Sequence, residues 1–170
     1  MTSYRLRDGN TAEIEAYDDS HAESIASGLF QGVIVETVVQ QRQILLAPGP
    51  EEVYSVCCLS EREVVGVCTG VRKQWSGERH RIEMVQVVVR EDFRGLGIAR
   101  HMMQEIGAHF RPYGVEIVQI SVEASNKQAY IAYQKIGFQT VGVFKRGLKY
   151  DGKYSDEILL SMTISDLMVS

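Results

Sequence analysis

The chain has 170 residues, 45% apolar and 24% charged, the balance of an ordinary soluble globular protein and enough for one domain, residues 1–170, with a real core. Twenty-two acidic residues against eighteen basic ones leave a net charge of −4, which argues against broad nucleic-acid binding. There is no charged-then-apolar leader pattern and no run near the ~18 apolar residues of a membrane span, so a cytoplasmic protein without a membrane partner is expected.

The predicted elements begin with a hairpin, Tyr4–Arg7 and Thr11–Tyr17 around the turn Asp8-Gly9-Asn10. Asp18, Asp19 and Ser20 offer N-caps for a helix through about Gly28, and Val33–Leu46 carries a second helical pattern that Pro48-Gly49-Pro50 ends. Val53–Leu59 and Val64–Val71 read as a second hairpin around Ser60-Glu61-Arg62-Glu63. Gln74–Arg79 is polar, holds the chain's single Trp, and reads as a loop before the strand Ile82–Val89. Helix, strand, helix follow at about 97–110, 115–122 and 127–136, and Thr140–Lys145 with Tyr154–Thr163 close a last hairpin around Asp151-Gly152. Hairpins at both ends of a central βαβ crossover predict an α/β (α+β) fold: a mixed, mostly antiparallel sheet of six to eight strands with helices on both faces.

Cys57, Cys58 and Cys68 fall in predicted strands. An odd number without a leader points to reduced thiols in a core, and adjacent cysteines on opposite strand faces make a poor metal site, so no metal is expected.

Arg94-Gly95-Leu96-Gly97-Ile98-Ala99 stands between the strand Ile82–Val89 and an amphipathic stretch with Ile98, Met102, Ile106 and Phe110 four residues apart. A glycine turn at a helix start presents unpaired N–H groups and partial positive charge, a phosphate site in outline. It has no Gly-Lys-Ser/Thr ending and lacks the third glycine of a dinucleotide fingerprint, which excludes two other phosphate loops. Downstream stands Asn126-Lys127-Gln128-Ala129-Tyr130-Ile131-Ala132-Tyr133-Gln134-Lys135-Ile136-Gly137-Phe138.

The first of these segments resembles the pyrophosphate loop of the GNAT superfamily of acetyl-CoA-dependent N-acyltransferases, Arg/Gln-x-x-Gly-x-Gly/Ala. The second resembles that family's helix opened by Asn, with a Tyr near its end and Gly-Phe starting the next strand. Together they span about residues 81 to 147. The resemblance implies acetyl-CoA as co-substrate, and an amine of a small molecule or peptide as acceptor. It leaves a homodimer open. It implies that Arg94, Gly95, Leu96, Gly97, Ile98 and Ala99 hold the pyrophosphate. The backbone of Val87, Val88 and Val89 would take the pantetheine arm on the free edge of a splayed strand, and Asn126 would contact that arm, although a helix cap alone explains Asn126.

The same resemblance makes Tyr133 the proton donor to the leaving thiolate, a role that suits a phenol protonated at neutral pH. Tyr130 shares its helix face, but the family's spacing to Gly137-Phe138 selects Tyr133. Glu83, eleven residues before Arg94, matches the catalytic Glu of histone-acetylating members. An alkyl ammonium is almost wholly protonated at pH 7, so a proton acceptor helps. A strand-edge Glu with no such role, ordered water, or Glu123 are the alternatives, and His80 reads as an incidental loop residue. Acceptor recognition is assigned to Leu29–Val38, to Gln74–His80, and to the last hairpin with Arg146, Lys149 and Tyr150. A non-catalytic acyl-CoA sensor and a transferase of longer acyl groups are the rival functions.

Overall fold

The computed structural model describes residues 1–21, 24–25 and 49–169. Eight strands form one sheet: β1 (Thr2–Arg5), β2 (Thr11–Ala16), β3 (Val53–Ser60), β4 (Glu63–Arg72), β5 (Arg81–Val89), β6 (Ile117–Glu123), β7 (Gln139–Tyr150) and β8 (Lys153–Thr163). Their order is β1-β2-β3-β4-β5-β6-β8-β7, so the last strand inserts beside β6 and leaves β7 at the edge. Every neighbouring pair is antiparallel except β5 and β6, the mixed, mostly antiparallel arrangement predicted. The helices are α1 (Ile98–Phe110), α2 (Lys127–Ile136) and α3 (Ile164–Val169).

The hydrophobic pattern seats α1. Its apolar stripe, Ile98, Met102, Ile106 and Phe110, is buried against Val56, Cys58, Cys68, Ile82 and Met84 of the sheet. Gly70 permits the approach: a Cβ there would stand 2.5 Å from Ile106 Cγ2 and 3.0 Å from Phe110 Cε2. Tyr133 and Ile136 of α2 and Leu167 of α3 enter the same core. A second cluster, Cys57, Val64 and Val67 with Ile25, covers the opposite face. Cys57 and Cys58 therefore do point to opposite sides, as the alternation of a strand requires. All three described helices share the α1 face. The helices predicted between Ser20 and Leu46, which were to cover the other face, lie mostly outside the described residues, as does Leu29–Val38. Asp18 does act at a chain reversal, its Oδ1 accepting the Ser20 N–H at 2.8 Å ahead of a short turn at Asp19–His21. Among the described residues no helix is long and apolar enough to cross a membrane.

Two features of β5 shape the site. Its parallel pairing with β6 runs from Arg81↔Ile117 to Met84↔Ile120 and then stops. It also carries one residue more than β4 across their pairing: Thr69 faces Val85 while Val67 faces Val88, and Gln86 takes a left-handed φ of 55°. The bulge bends β5 away from β6 beyond Met84.

Candidate active site

Where β5 and β6 part, a cavity of about 600 Å³ opens. Val87, Val88 and Val89 line one wall, and Asn126, Ala129 and Tyr133 of the α2 segment line another. Arg94, Gly95, Gly97, Ile98 and Ala99 close its end. These residues, proposed from sequence as cofactor contacts, share one space. Leu96 is the exception: its side chain packs against the core, and its carbonyl accepts the Arg7 N–H at 3.3 Å.

The glycine turn has a backbone reason. Gly95 and Gly97 hold φ of 79° and 96°, a region costly for other residues. Gly97 is also the N-cap of α1, and no side chain caps that helix. The first N–H groups of α1 consequently remain available at the cavity end. Asn126 does cap α2, its Oδ1 accepting the Ala129 N–H at 3.1 Å while the residue lines the cavity.

The charge of the cavity is one-sided. Arg7, Arg94, Arg100 and Lys135 line it, and among the described residues no acidic one does, although the chain carries net charge −4. Arg94 spends its Nε–H on the Val89 carbonyl at 3.1 Å. Among the described residues neither Arg7 nor Arg100 has an acidic partner. Arg100 follows the motif directly and its place in the first turn of α1 was available as a signal; Lys135 likewise stands two residues after Tyr133. Nothing local pointed to Arg7. Among the described residues no cluster of His, Cys, Asp or Glu is placed to hold a metal ion.

Tyr133 is 9% exposed and no described residue bonds its hydroxyl. Burial, with a smaller effect from nearby Cys68, raises its pKa above the usual 10.0, so the phenol keeps its proton throughout the neutral range. Tyr130 instead exchanges hydroxyl hydrogen bonds with Thr140 and Gln134.

The other candidates stand apart from this cavity. Glu83 faces the side of the sheet away from α1 and pairs with Lys73. Glu123 accepts the Ser155 hydroxyl. His80 is exposed in the turn before β5, its carbonyl taking the N–H groups of Glu116 and Ile117. The Arg146 guanidinium lies 3.9 Å over the Tyr154 ring and Lys149 Nζ 5.1 Å from it, so both are held within their own hairpin, and Tyr150 is exposed. Trp75 of the Gln74–His80 loop is 81% exposed.

A cationic, acid-free cavity at an opened parallel strand pair, ended by a glycine turn, suits a long polyanion with a hydrogen-bonding arm. The acetyltransferase (GNAT) family model matches residues 20–138. That span exceeds half of the chain, and the chain belongs to this family, whose members use acetyl-CoA. No curated protein matches it by sequence. Solved structures resemble its fold. Ribosomal-protein-alanine N-acetyltransferase from Brucella melitensis is 19% identical with a TM-score of 0.70, over 89% of this chain and 99% of that one. N-acetyltransferase from Staphylococcus aureus Mu50 is 15% identical with a TM-score of 0.71, over 91% and 99%. A Salmonella typhimurium protein whose structure carries acetyl-CoA as its cofactor is 13% identical with a TM-score of 0.68, over 91% and 95%.

Proposed function

We propose that this protein is an N-acetyltransferase that moves the acetyl group of acetyl-CoA to a primary amine by direct attack in a ternary complex. The carrying observation is the acid-free cationic cavity that runs from the uncapped start of α1 to the buried hydroxyl of Tyr133. Bound acetyl-CoA supplies the activated thioester. The first N–H groups of α1, with Arg94, Arg100 and Lys135, receive its phosphates. Backbone groups of Val87, Val88 and Val89 on the free edge of β5 bind the arm, and a donor there polarises the thioester carbonyl. Asn126 adds a contact from its cap position.

The amine nitrogen forms a bond to the acetyl carbon and the carbon–sulfur bond breaks. Tyr133 holds its proton on the hydroxyl and gives it to the departing sulfur. The surplus proton of the amine leaves toward Glu83. Four residues of strand separate Glu83 from Val87, about 13 Å at the usual rise, so Glu83 acts through water rather than by direct contact.

The test is binding followed by turnover. Acetyl-CoA at a hundredfold excess over Kd should stabilise the protein by about 2.7 kcal/mol, read as a rise in Tm. Gly97→Glu, which puts a carboxylate into the phosphate end, should abolish that rise. Thiol release should then depend on an added amine. A wild-type protein that is folded yet unmoved by millimolar acetyl-CoA is not an acetyltransferase.

A further inference from the structure

The residue at the head of the β5 bulge is not the one its backbone favours. Thr69↔Val85 and Val67↔Val88 are register pairs, so Gln86 and Val87 together face the single residue Cys68 of β4. Gln86, the first of the two, holds a φ of 55°. A bulge whose first residue is left-handed ordinarily has glycine there, because a Cβ is strained in that region. This chain has glutamine instead. A strained backbone persists only where its surroundings hold it, and such strain gathers where it serves a site.

The side chain of Gln86 supplies the hold. Thr69 Oγ1 donates to Gln86 Oε1 at 3.4 Å and lies 2.8 Å from Ser55 Oγ. Thr69 is 3% exposed, and Ser55 is its register partner on β3. The relay closes whichever way the amide is turned. With the amide oxygen toward it, Thr69 donates to Gln86 and accepts from Ser55; with the amide nitrogen there, Thr69 accepts from Gln86 and donates to Ser55. Gln86 is thus tethered across β4 to β3 at the point where β5 leaves β6. Parallel pairing ends at Met84↔Ile120, so among the described residues no strand on the β6 side fixes the β5 edge beyond it. Val87, next in the chain, lines the cavity, and Gln86 does not. The bond to Thr69 is long, so it steers the bulge more than it stabilises the fold.

We propose that Gln86 is a positioning residue: tied to Thr69, it fixes the bulge so that the Val87 backbone meets the thioester carbonyl of bound acetyl-CoA. The proposal rests on the acetyltransferase reading above. Gln86 acts only through the backbone that follows it. An edge that drifts by ~1 Å still binds the long cofactor through its other contacts, but it polarises the carbonyl less. Backbone conformation and tether are separable at this position. Gln86→Gly keeps the left-handed backbone and loses the tether. Thr69→Val keeps the shape of the side chain and loses the hydroxyl.

The experiment reads the infrared stretch of the thioester carbonyl in isotope-labelled acetyl-CoA, free and bound, so it needs no acceptor. Wild type should lower the stretch below its value in solution, the mark of a polarised carbonyl. Gln86→Gly and Thr69→Val should each bind acetyl-CoA within about threefold of the wild-type Kd, less than the loss of one good hydrogen bond, and return the stretch toward the solution value. Thr69→Ser keeps the hydroxyl and should keep the lowered stretch. The double variant should shift no further than either single one, because both cut the same tether. Gln86→Gly binding acetyl-CoA with the wild-type stretch overturns the proposal. So does a wild-type protein that binds acetyl-CoA without lowering the stretch, or Thr69→Ser behaving as Thr69→Val. Loss of acetyl-CoA binding in Gln86→Gly assigns Gln86 to the fold and overturns it too. Should Thr69→Val fail to fold, Gln86→Gly decides alone. Failure of wild type to bind acetyl-CoA removes the acetyltransferase reading, and the proposal with it.

Discussion

The guanidinium of Arg7 donates to the Gly95 carbonyl oxygen at 3.4 Å, and the Arg7 backbone N–H donates to the Leu96 carbonyl at 3.3 Å. The first hairpin of the chain is thereby clasped to the glycine turn. Tyr4 strengthens the clasp, stacking on His101 of α1 at 4.3 Å and donating its hydroxyl to Glu105. Arg7→Gln should weaken acetyl-CoA binding by about three- to tenfold, a modest loss because the side chain is exposed. The loss should shrink as salt is raised. Titration calorimetry at low and high ionic strength checks both; a loss that ignores salt assigns Arg7 to the loop's architecture rather than to the ligand's charge.

Tyr133→Phe keeps the ring in its buried seat and removes the hydroxyl. Acetyl-CoA affinity should hold, while kcat falls by ~10²-fold or more, the pattern of an interaction made mainly in the transition state. Parallel measurement of kcat and Kd decides it. Equal kcat values would take Tyr133 out of the mechanism and leave positioning of the two substrates as the main source of rate.

Glu83→Gln should lower kcat/KM most at acid pH, where the fewest amines are already neutral, and least at alkaline pH. A pH–rate profile with the same shape for both proteins hands proton removal to water alone. Because Lys73 loses its partner in this variant, a thermal melt accompanies the kinetics.

Stability should fall at alkaline pH. Burial pushes the Cys57 and Cys58 thiols up to about 12 from the usual 9.0, and Cys68 higher still. A thiol whose folded value is raised contributes fully below pH 9 and loses its contribution as pH climbs from 9 toward 12. Each costs about 2 kcal/mol by pH 10.5 at ~1.4 kcal/mol per unit. Urea melts at pH 7.5 and 10.5 measure the slope. Cys58→Ala is less stable at both pH values but should show the shallower decline, and an identical decline would place the thiol in water.

Gly70→Ala should destabilise by about 1–3 kcal/mol, since the added methyl meets Ile106 Cγ2 at 2.5 Å on a stiff branched side chain in a close-packed core. Chemical denaturation checks it. A neutral result would mean that α1 slides outward at little cost.

Local patterns made most elements legible. The α2 bounds, Lys127–Ile136, follow from Asn126 as cap and Gly137 as stop. The glycine turn announced itself because φ and capping restrict residue choice there. Long-range geometry was less readable. The strand predicted as Thr140–Lys145 continues to Tyr150, because a register break between Phe144 and Leu148, with Arg146 at φ 57°, interrupts the alternation that marks a strand. Ile164–Val169 is too short for its periodicity to separate it from a chain end, yet Leu167 packs fully buried beside Gly107. Leu96 sits inside the motif but faces the core. Arg7 reaches the site only through the fold.

Among the described residues, four register pairs from Arg81↔Ile117 to Met84↔Ile120, with the His80 carbonyl taking the Glu116 and Ile117 N–H groups beside them, fasten β1–β5 to the β6-β8-β7 half of the sheet by backbone hydrogen bonds. The sheet is two leaves on a short spine, and past the spine that edge of β5 has no strand to lie against among the described residues. A molecule laid in that opening becomes mortar as well as reagent. The same binding event that prepares the chemistry also stiffens the seam between the leaves, so the resistance of this protein to proteolysis and to amide exchange along Val85–Val89 would track how much acetyl-CoA surrounds it.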